Sequence, residues 1–292
     1  MIYTIENEYV KIAVDTVGAQ LQSLYSKKSG VEYLWQGDSN YWAGRAYNLF
    51  PVIGRMYKGT YLYQNREYQI GAHGVARSNV FYLEDRSATK LVFLLTDNRD
   101  TYKEYPFRFE FRVIFTLENY TLNVRYEAKN LGKNEMICAF GGHPGINVPF
   151  GDGMFEDYYL EFSEKTKVTQ ELLSENKFMS GERVLYDLQN GVKLPLKHGL
   201  FDNDALIFSN TSRCVSLKSK KDSKYVTMRY SDFPYIGFWH SPFTDAPFVC
   251  LEPWTALPAD EGITTVLETK PNMTKIPAAK SAGVSYSLEI HE

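Results

Sequence analysis

Hydrophobic and polar residues alternate with a period of two along much of the chain. Over residues 107–117 the odd-numbered positions are Phe, Phe, Phe, Val, Phe and Leu, and most positions between them are polar. The alternation resumes over residues 122–129, after the linker at residues 118–120, and recurs over residues 284–290. Because side chains point alternately to the two faces of a strand, this pattern predicts long strands with one wet face, the first two joined as a hairpin.

Shorter alternating runs at residues 9–14, 91–95 and 225–230 predict further strands. Turn residues separate the strands every 8–12 residues or so, as in a sandwich or barrel. No segment shows sustained helical periodicity with a cap at each end. No Gly-, Ser- or Pro-rich linker and no fixed repeat divides the chain. We therefore predict an all-β fold in which residues 1–292 form a single domain.

Composition narrows the function classes. The chain has 32 Lys and Arg against 35 Asp and Glu, a net charge of −3, and its densest basic stretch is the short one at residues 218–221. A nucleic-acid-binding domain usually carries a basic excess or stripe, so nucleic acid is not an expected partner. Aromatic residues make up 15% of the chain. They favour strands, and they also stack on sugar rings.

The cysteines and the N-terminus bear on location. Cys138, Cys214 and Cys250 are widely separated and form no C-x-x-C motif, which predicts free thiols in a reducing compartment. The N-terminal segment is acidic where a signal peptide would be basic and then apolar. No apolar run approaches the length of about 18 residues that a membrane span needs. We expect a cytoplasmic protein with no membrane partner.

Two of the five histidines are candidates for chemistry. His73 and His143 each lie in a Gly-flanked segment, which lets backbone or ligand approach the imidazole closely. His240 follows an aromatic strand and is either a core residue or a support for a site. We expect His198 to be a solvated turn residue and His291 to be disordered.

Several types of site have no motif here. The sequence has no H-E-x-x-H or C-x-x-C pair, so no metal is expected. It also has no G-x-S-x-G nucleophile elbow, no P-loop and no dinucleotide fingerprint. Acid/base chemistry on a bound neutral ligand, without a cofactor, therefore remains, with a carboxylate and a histidine as partners.

Glu252 is the strongest candidate carboxylate. It ends an apolar run and precedes Pro253, and burial of this kind raises a carboxyl pKa and makes a better base near neutrality. The alternative is a structural carboxylate paired with an arginine. Arg55 is likewise either a donor to a ligand or an ion-pair partner. Asp202 and Asp204 either form a turn or orient a sugar hydroxyl.

Five segments together resemble the aldose 1-epimerase (mutarotase) family, including its hexose-6-phosphate branch, and are most similar to the LacX-type proteins. In chain order they are residues 48–55 (NLFPVIGR), 73–77 (HGVAR), 141–145 (GGHPG), 202–208 (DNDALIF) and 250–254 (CLEPW). The resemblance implies a galactose mutarotase-like supersandwich of large twisted antiparallel sheets, with an open cleft that holds a pyranose. It further implies that Glu252 takes the proton of the anomeric hydroxyl while His143 protonates the ring oxygen. The two groups must then lie within about 12 Å of each other, near enough to act on one sugar.

The resemblance also implies that Arg55, His73 and Asp204 (with Asp202 as the alternative) bind sugar hydroxyls. Arg77 and Trp254 are further candidates for substrate binding. Arg77 belongs to a segment that looks more like the hexose-6-phosphate branch, and a guanidinium fork suits a phosphate. Its alternative partners are the carboxylates of Glu84 and Asp85.

Three functions remain open on this fold. The first is an aldose 1-epimerase acting on an aldohexose, free or phosphorylated. The second is a non-catalytic carbohydrate-binding or sugar-sensing protein. The third is an extracellular polysaccharide lyase or hydrolase module, which the missing signal peptide disfavours. We expect a small-molecule sugar as the partner and a monomer or homodimer.

Overall fold

The computed structural model describes residues 1–292, which form 24 strands, one α-helix and five short 3₁₀ turns. The strands are β1 (Ile2–Glu6), β2 (Val10–Asp15), β3 (Gln20–Ser26), β4 (Ala46–Leu49), β5 (Thr60–Tyr63), β6 (Arg66–Gln69), β7 (Tyr82–Arg86), β8 (Lys90–Thr96), β9 (Phe109–Glu118), β10 (Thr121–Asn130), β11 (Met136–Cys138), β12 (Gly141–Asn147), β13 (Tyr158–Phe162), β14 (Thr169–Leu173), β15 (Met179–Leu185), β16 (Lys193–Pro195), β17 (Leu206–Ser209), β18 (Cys214–Ser219), β19 (Tyr225–Arg229), β20 (Tyr235–Trp239), β21 (Phe248–Trp254), β22 (Thr265–Val266), β23 (Thr274–Ile276) and β24 (Ser281–His291). The helix α1 covers Arg99–Glu104, and the 3₁₀ turns are Tyr57–Gly59, Ala76–Ser78, Phe155–Asp157, His198–Phe201 and Leu267–Thr269.

Two large sheets dominate the molecule. One has nine strands in the order β16-β13-β18-β19-β24-β10-β9-β8-β7, and the other has seven in the order β15-β14-β17-β20-β21-β12-β4. Three sheets of two or three strands complete the fold. Pairing is antiparallel except between β22 and β5. The all-β prediction is confirmed.

The predicted hairpin forms the middle of the nine-stranded sheet. Glu118 pairs with Thr121 across the turn, and β9 and β10 stay in register to Phe109 and Asn130. Buried and less buried residues alternate along both strands, as the hydrophobic pattern predicts. The first strand begins at Phe109, two residues later than the sequence suggests.

Two local features were not predicted from the sequence, a six-residue helix and the ordered position of His291. The helix α1 was not predicted, because six residues are too few to show a helical period; the side chain of Asn98 caps its first turn. His291 is not disordered. It lies in β24, and its ring stacks on Tyr225 with centroids 3.9 Å apart.

The main core lies between the two large sheets. It contains 67 buried residues, which range from Ile5 to Ile290. Phe162 on β13 packs against Phe238 on β20 across this layer, with ring centroids 6.2 Å apart. The single-domain assignment stays a prediction. No helix is long and apolar enough to cross a membrane.

The strand β21 is buried on both faces, and its two faces have different roles. Val249 and Leu251 belong to the main core. Cys250 and Trp254 lie in two smaller apolar clusters instead, so the even-numbered side chains face away from the nine-stranded sheet. Glu252 shares that outer face.

Candidate active site

Two neighbouring central strands bring the predicted acid and base together. Gly141 pairs with Trp254 and Gly145 with Cys250, and this register sets His143 of β12 opposite Glu252 of β21. Both segments lie in strands although they contain Gly and Pro. The prolines are tolerated because β12 and β21 have no paired residues between the Gly141–Trp254 and Gly145–Cys250 pairs.

A cleft of about 540 Å³ opens on this outer face of the seven-stranded sheet. Its volume lies within the usual range for small-molecule sites, about 300–1,000 Å³. Eighteen residues line it, and they include all seven that the sequence proposed: Arg55, His73, Arg77, His143, Asp204, Glu252 and Trp254. Residues separated by almost 200 positions in the chain therefore meet in one concave surface.

The two proposed catalytic groups are in direct contact within the cleft. Nε2 of His143 lies 3.1 Å from Oε2 of Glu252. This is far less than the limit of about 12 Å within which both groups could act on one sugar. Both residues are buried, with exposed fractions of 8% and 1%. Burial lowers the pKa of His143 well below its usual value, and the nearby His73 adds to this effect. Burial raises the pKa of Glu252, and the charge of Asp204 raises it further.

The pKa values of His143 and Glu252 are shifted in opposite directions, and the two groups contact each other. Loss of solvent favours the uncharged form of each group, which leaves one proton between the carboxyl and the imidazole. Such a pair can pass a proton from one member to the other, and this is the requirement for general acid/base catalysis. The alternative for Glu252, a structural pair with an arginine, is not found, since its carboxyl group contacts His143 instead.

His73 is held in one orientation by the backbone of Gly54. The amide of Gly54 donates to Nδ1 of His73 at 3.2 Å, so the neutral ring carries its proton on Nε2. Burial, with Arg77 and Arg55 nearby, lowers the pKa of His73 to about 3. The ring is therefore a fixed, uncharged donor, and it crosses the His143 ring edge-on at 5.6 Å.

The chain around His73 requires glycine. His73 itself has φ of +65°, and Gly74 follows with φ of +77°. A Cβ at Gly74 would lie 2.3 Å from the carbonyl oxygen of Phe50. The Gly-flanked motif thus serves close backbone packing that sets the imidazole in the cleft.

The structure separates the two candidate aspartates. Asp204 lines the cleft. Asp202 does not, and its Oδ1 accepts a hydrogen bond from the backbone amide of Phe243 at 3.1 Å. Asp202 therefore organises a loop, and Asp204 is the residue available to a ligand.

Arg77 has no carboxylate partner. Glu84 is bound by Arg112 at 2.6 Å, and Asp85 is paired with Lys90 at 3.2 Å. The guanidinium of Arg77 lies over the ring of Tyr47 at 5.4 Å and faces the cleft. The pairing proposed as the alternative for this residue is therefore wrong.

Arg55 is also free of ion pairs. Its guanidinium lies 5.2 Å from the centre of the Phe178 ring and donates to the carbonyl oxygens of Asn176 and Lys177 at 3.4 and 3.3 Å. The side chain is exposed at the mouth of the cleft. Its remaining donors are available to a ligand.

Several lining residues were missed from the sequence. The ring of Trp42 lies 4.9 Å from that of His143, and Trp239 lies 5.7 Å from it on another side. Lys177 reaches the cleft and donates to Asn203 at 2.6 Å. The high aromatic content is consistent with a surface that stacks on sugars, but no sequence motif identifies Trp42, Trp239 or Lys177 as lining residues.

His198 and His240 form a separate pair that does not line the cleft. Nδ1 of His198 lies 3.1 Å from Nε2 of His240, and the His198 ring stacks on Phe155 at 3.9 Å. His198 is thus packed rather than solvated, contrary to expectation. His240 is fully buried and belongs to the core.

Comparison with known proteins shows the family of the chain. The family model described as aldose 1-epimerase matches residues 1–265. The plasmid and chromosomal LacX proteins of Lactococcus lactis subsp. lactis are 32% and 33% identical to the chain, with 99% of each sequence covered.

Solved structures extend the likeness to the fold. A galactose mutarotase related enzyme from Lactobacillus acidophilus is 33% identical, with a TM-score of 0.94 over 100% of this chain and 98% of that one. A galactose mutarotase-like protein from Lactobacillus casei is 31% identical, with a TM-score of 0.94 over 100% of both chains. The galactose mutarotase-like fold is confirmed, and the protein belongs to the aldose 1-epimerase family.

Proposed function

We propose that the protein is an aldose 1-epimerase, which interconverts the α and β anomers of an aldohexose by acid/base ring opening. The observation that carries this proposal is the 3.1 Å contact between His143 and Glu252 on the floor of the cleft. Ring opening needs a base at O1 and an acid at O5, two oxygens bonded to one carbon. An adjacent carboxylate and imidazole meet that demand.

The proton balance of the reaction closes on these two groups. The reactive form of the pair is a Glu252 carboxylate beside a His143 imidazolium. Glu252 accepts the O1 proton as the C1–O5 bond breaks, and His143 donates its proton to O5, which leaves an open-chain aldehyde. Rotation about C1–C2 presents the other face of C1. Reversal of both transfers then closes the ring as the other anomer and restores the pair.

The remaining lining residues bind the sugar. The Nε2–H of His73 is a fixed donor to a hydroxyl, Arg55 is a second donor, and the Asp204 carboxylate is an acceptor. The indole of Trp254 carries a buried Nε1–H that has no partner in the protein, which suits it to a ligand oxygen. Together these groups offer several hydrogen-bond donors and one carboxylate acceptor to the hydroxyls of a pyranose.

A phosphorylated aldohexose is the second candidate substrate. Three cationic side chains line the cleft, those of Arg55, Arg77 and Lys177, against the two carboxylates of Asp204 and Glu252. The absence of a carboxylate partner for Arg77 favours a role with an anionic group, because its fork can donate two hydrogen bonds to one phosphoryl group. We rank the free aldohexose first, since the net charge of −3 gives no general attraction for phosphates.

A carbohydrate-binding protein without catalysis is the alternative from another class. Binding a sugar needs aromatic faces and hydroxyl partners, whereas the buried pair of His143 and Glu252 adds only acid/base capacity. Anomer exchange measured by NMR on glucose and galactose separates the two. Exchange faster than the buffer rate supports the enzyme, and saturable binding at the buffer rate supports the sensor. The cytoplasmic location and the monomer or homodimer stay predictions.

A further inference from the structure

A third potential ligand atom lies next to the catalytic pair. Cys250 precedes Glu252 by two residues on β21, so both side chains point to the same face of the sheet. One ligand atom each from His143, Cys250 and Glu252 lies within 4.8 Å of the other two, and all three residues are buried. No sequence motif marks this cluster, because metal motifs are recognised by local spacing and His143 comes from another strand.

We propose that His143, Cys250 and Glu252 bind a thiophilic divalent cation such as Zn²⁺, which holds the site in an inhibited state. The inhibitory consequence rests on the function proposed above, whereas the metal binding does not. The ligand set, one nitrogen, one sulfur and one oxygen, is of the kind that zinc accepts.

The geometry suits a tetrahedral ion with one open position. Bond lengths of about 2.0–2.3 Å place the ligand atoms of such an ion roughly 3.3–3.8 Å apart. The 3.1 Å between His143 and Glu252 is already close to that spacing. The Sγ atom of Cys250 lies within 4.8 Å of the other two ligand atoms, so it needs to move by no more than about 1.5 Å to reach this spacing. His143 and Glu252 line the cleft, which gives water or a sugar hydroxyl a route to a fourth position on the ion.

Binding would remove both catalytic groups from the reaction. The Cys250 thiol and the Glu252 carboxyl would release their protons to solvent and give electron pairs to the metal. Glu252 could then no longer accept the O1 proton, and His143 Nε2 could no longer donate one. A thiolate ligand favours Zn²⁺ over Mg²⁺ and Ca²⁺, which prefer oxygen.

Cobalt reports binding without any need for catalysis. We expect Co²⁺ added to the wild-type protein to produce visible absorption bands of a tetrahedral site and a near-ultraviolet thiolate-to-metal band. Cys250→Ser, which keeps the side-chain volume, and Cys250→Ala should both lose the near-ultraviolet band. Cys214→Ala is the matched control, since that thiol is partly exposed and lies elsewhere. No band in wild type, or a band lost with Cys214 and kept in both Cys250 variants, overturns the proposal.

Inhibition tests the second half of the proposal. Zn²⁺ should inhibit anomer exchange in competition with sugar, while Mg²⁺ should not. The inhibition by Zn²⁺ in Cys250→Ser is measured relative to the metal-free rate of the same variant. Its inhibition constant should rise by about 10–100-fold or more, because removal of even an outer-shell partner weakens metal affinity by that factor. An unchanged constant contradicts the proposal. A cobalt band in a protein with no anomer exchange would leave the metal site intact and refute the enzyme.

Discussion

Nε2 of His143 and Oε2 of Glu252 lie 3.1 Å apart although the residues are more than 100 positions apart in the chain. Their meeting is a product of strand register, because β12 and β21 pair so that the two side chains stand opposite each other. Burial acts on them in opposite directions, lowering the pKa of the imidazole and raising that of the carboxyl. The contact is the basis for the predictions that follow.

Replacement of the proposed acid should slow catalysis without unfolding the protein. His143→Asn removes the group that protonates O5, and kcat should fall by about 10²–10⁴. The double variant with Glu252→Gln should be little slower than either single variant, since the two residues act as a unit. Steady-state kinetics by polarimetry measures both effects. Losses that multiply in the double variant would show that the residues act independently.

His73 should contribute to binding and orientation of the sugar. His73→Ala removes the fixed Nε2–H donor and should raise KM and lower kcat/KM by about 10-fold or more, as loss of a buried hydrogen-bond partner does. His198→Ala is a matched control, because that imidazole lies outside the cleft. Equal kinetics in the His73 variant and wild type would remove this residue from the site.

Arg77 distinguishes the two substrate classes. If a phosphate binds there, kcat/KM for glucose 6-phosphate should exceed that for glucose, and Arg77→Ala should abolish the preference. On our ranking the free sugar is the better substrate and Arg77→Ala changes the ratio little. The measurement is kcat/KM for glucose, galactose and their 6-phosphates in both proteins. Arg112→Ala is the control for removal of a positive charge, because Arg112 binds Glu84 and does not line the cleft.

Acid should destabilise the fold through its buried histidines. The pKa of His240 is lowered to about 4 and that of His73 to about 3, mainly by burial. Between those values and the usual histidine pKa of about 6.5, the unfolded chain binds protons that the folded protein does not. The contribution of these histidines to the free energy of unfolding should therefore be greatest above a pH of about 6.5 and should decrease as the pH falls through this range. Urea denaturation at several pH values measures it, and His240→Gln should flatten the slope.

The features that could be predicted from the sequence are those encoded in a short stretch of the chain. The alternation over β9 and β10 is visible in a single window, because each strand buries every second residue. The candidate site residues stand in short motifs, and Arg55, His73 and Asp204 all line the cleft. Asp202 and Asp204 could be separated only by the loop contact that Asp202 makes with Phe243.

Other features depended on long-range pairing. Trp42 and Trp239 reach the cleft from separate segments, and nothing local marks either as facing a ligand. The strand β12 contains Gly and Pro, which favour loops, but pairing with β4 and β21 holds it extended. Cys250 joins the cluster with His143 for the same reason, since only register places it there.

The rate of anomer exchange in Glu252→Gln tests the central claim most directly. The amide keeps the shape of the side chain but is not a base, so exchange on a saturating aldohexose, followed by NMR, should fall by about 10²–10⁴. Circular dichroism and sugar binding should remain those of the wild type. A Glu252→Gln protein that exchanges anomers at the wild-type rate would contradict the assignment of Glu252 as the base.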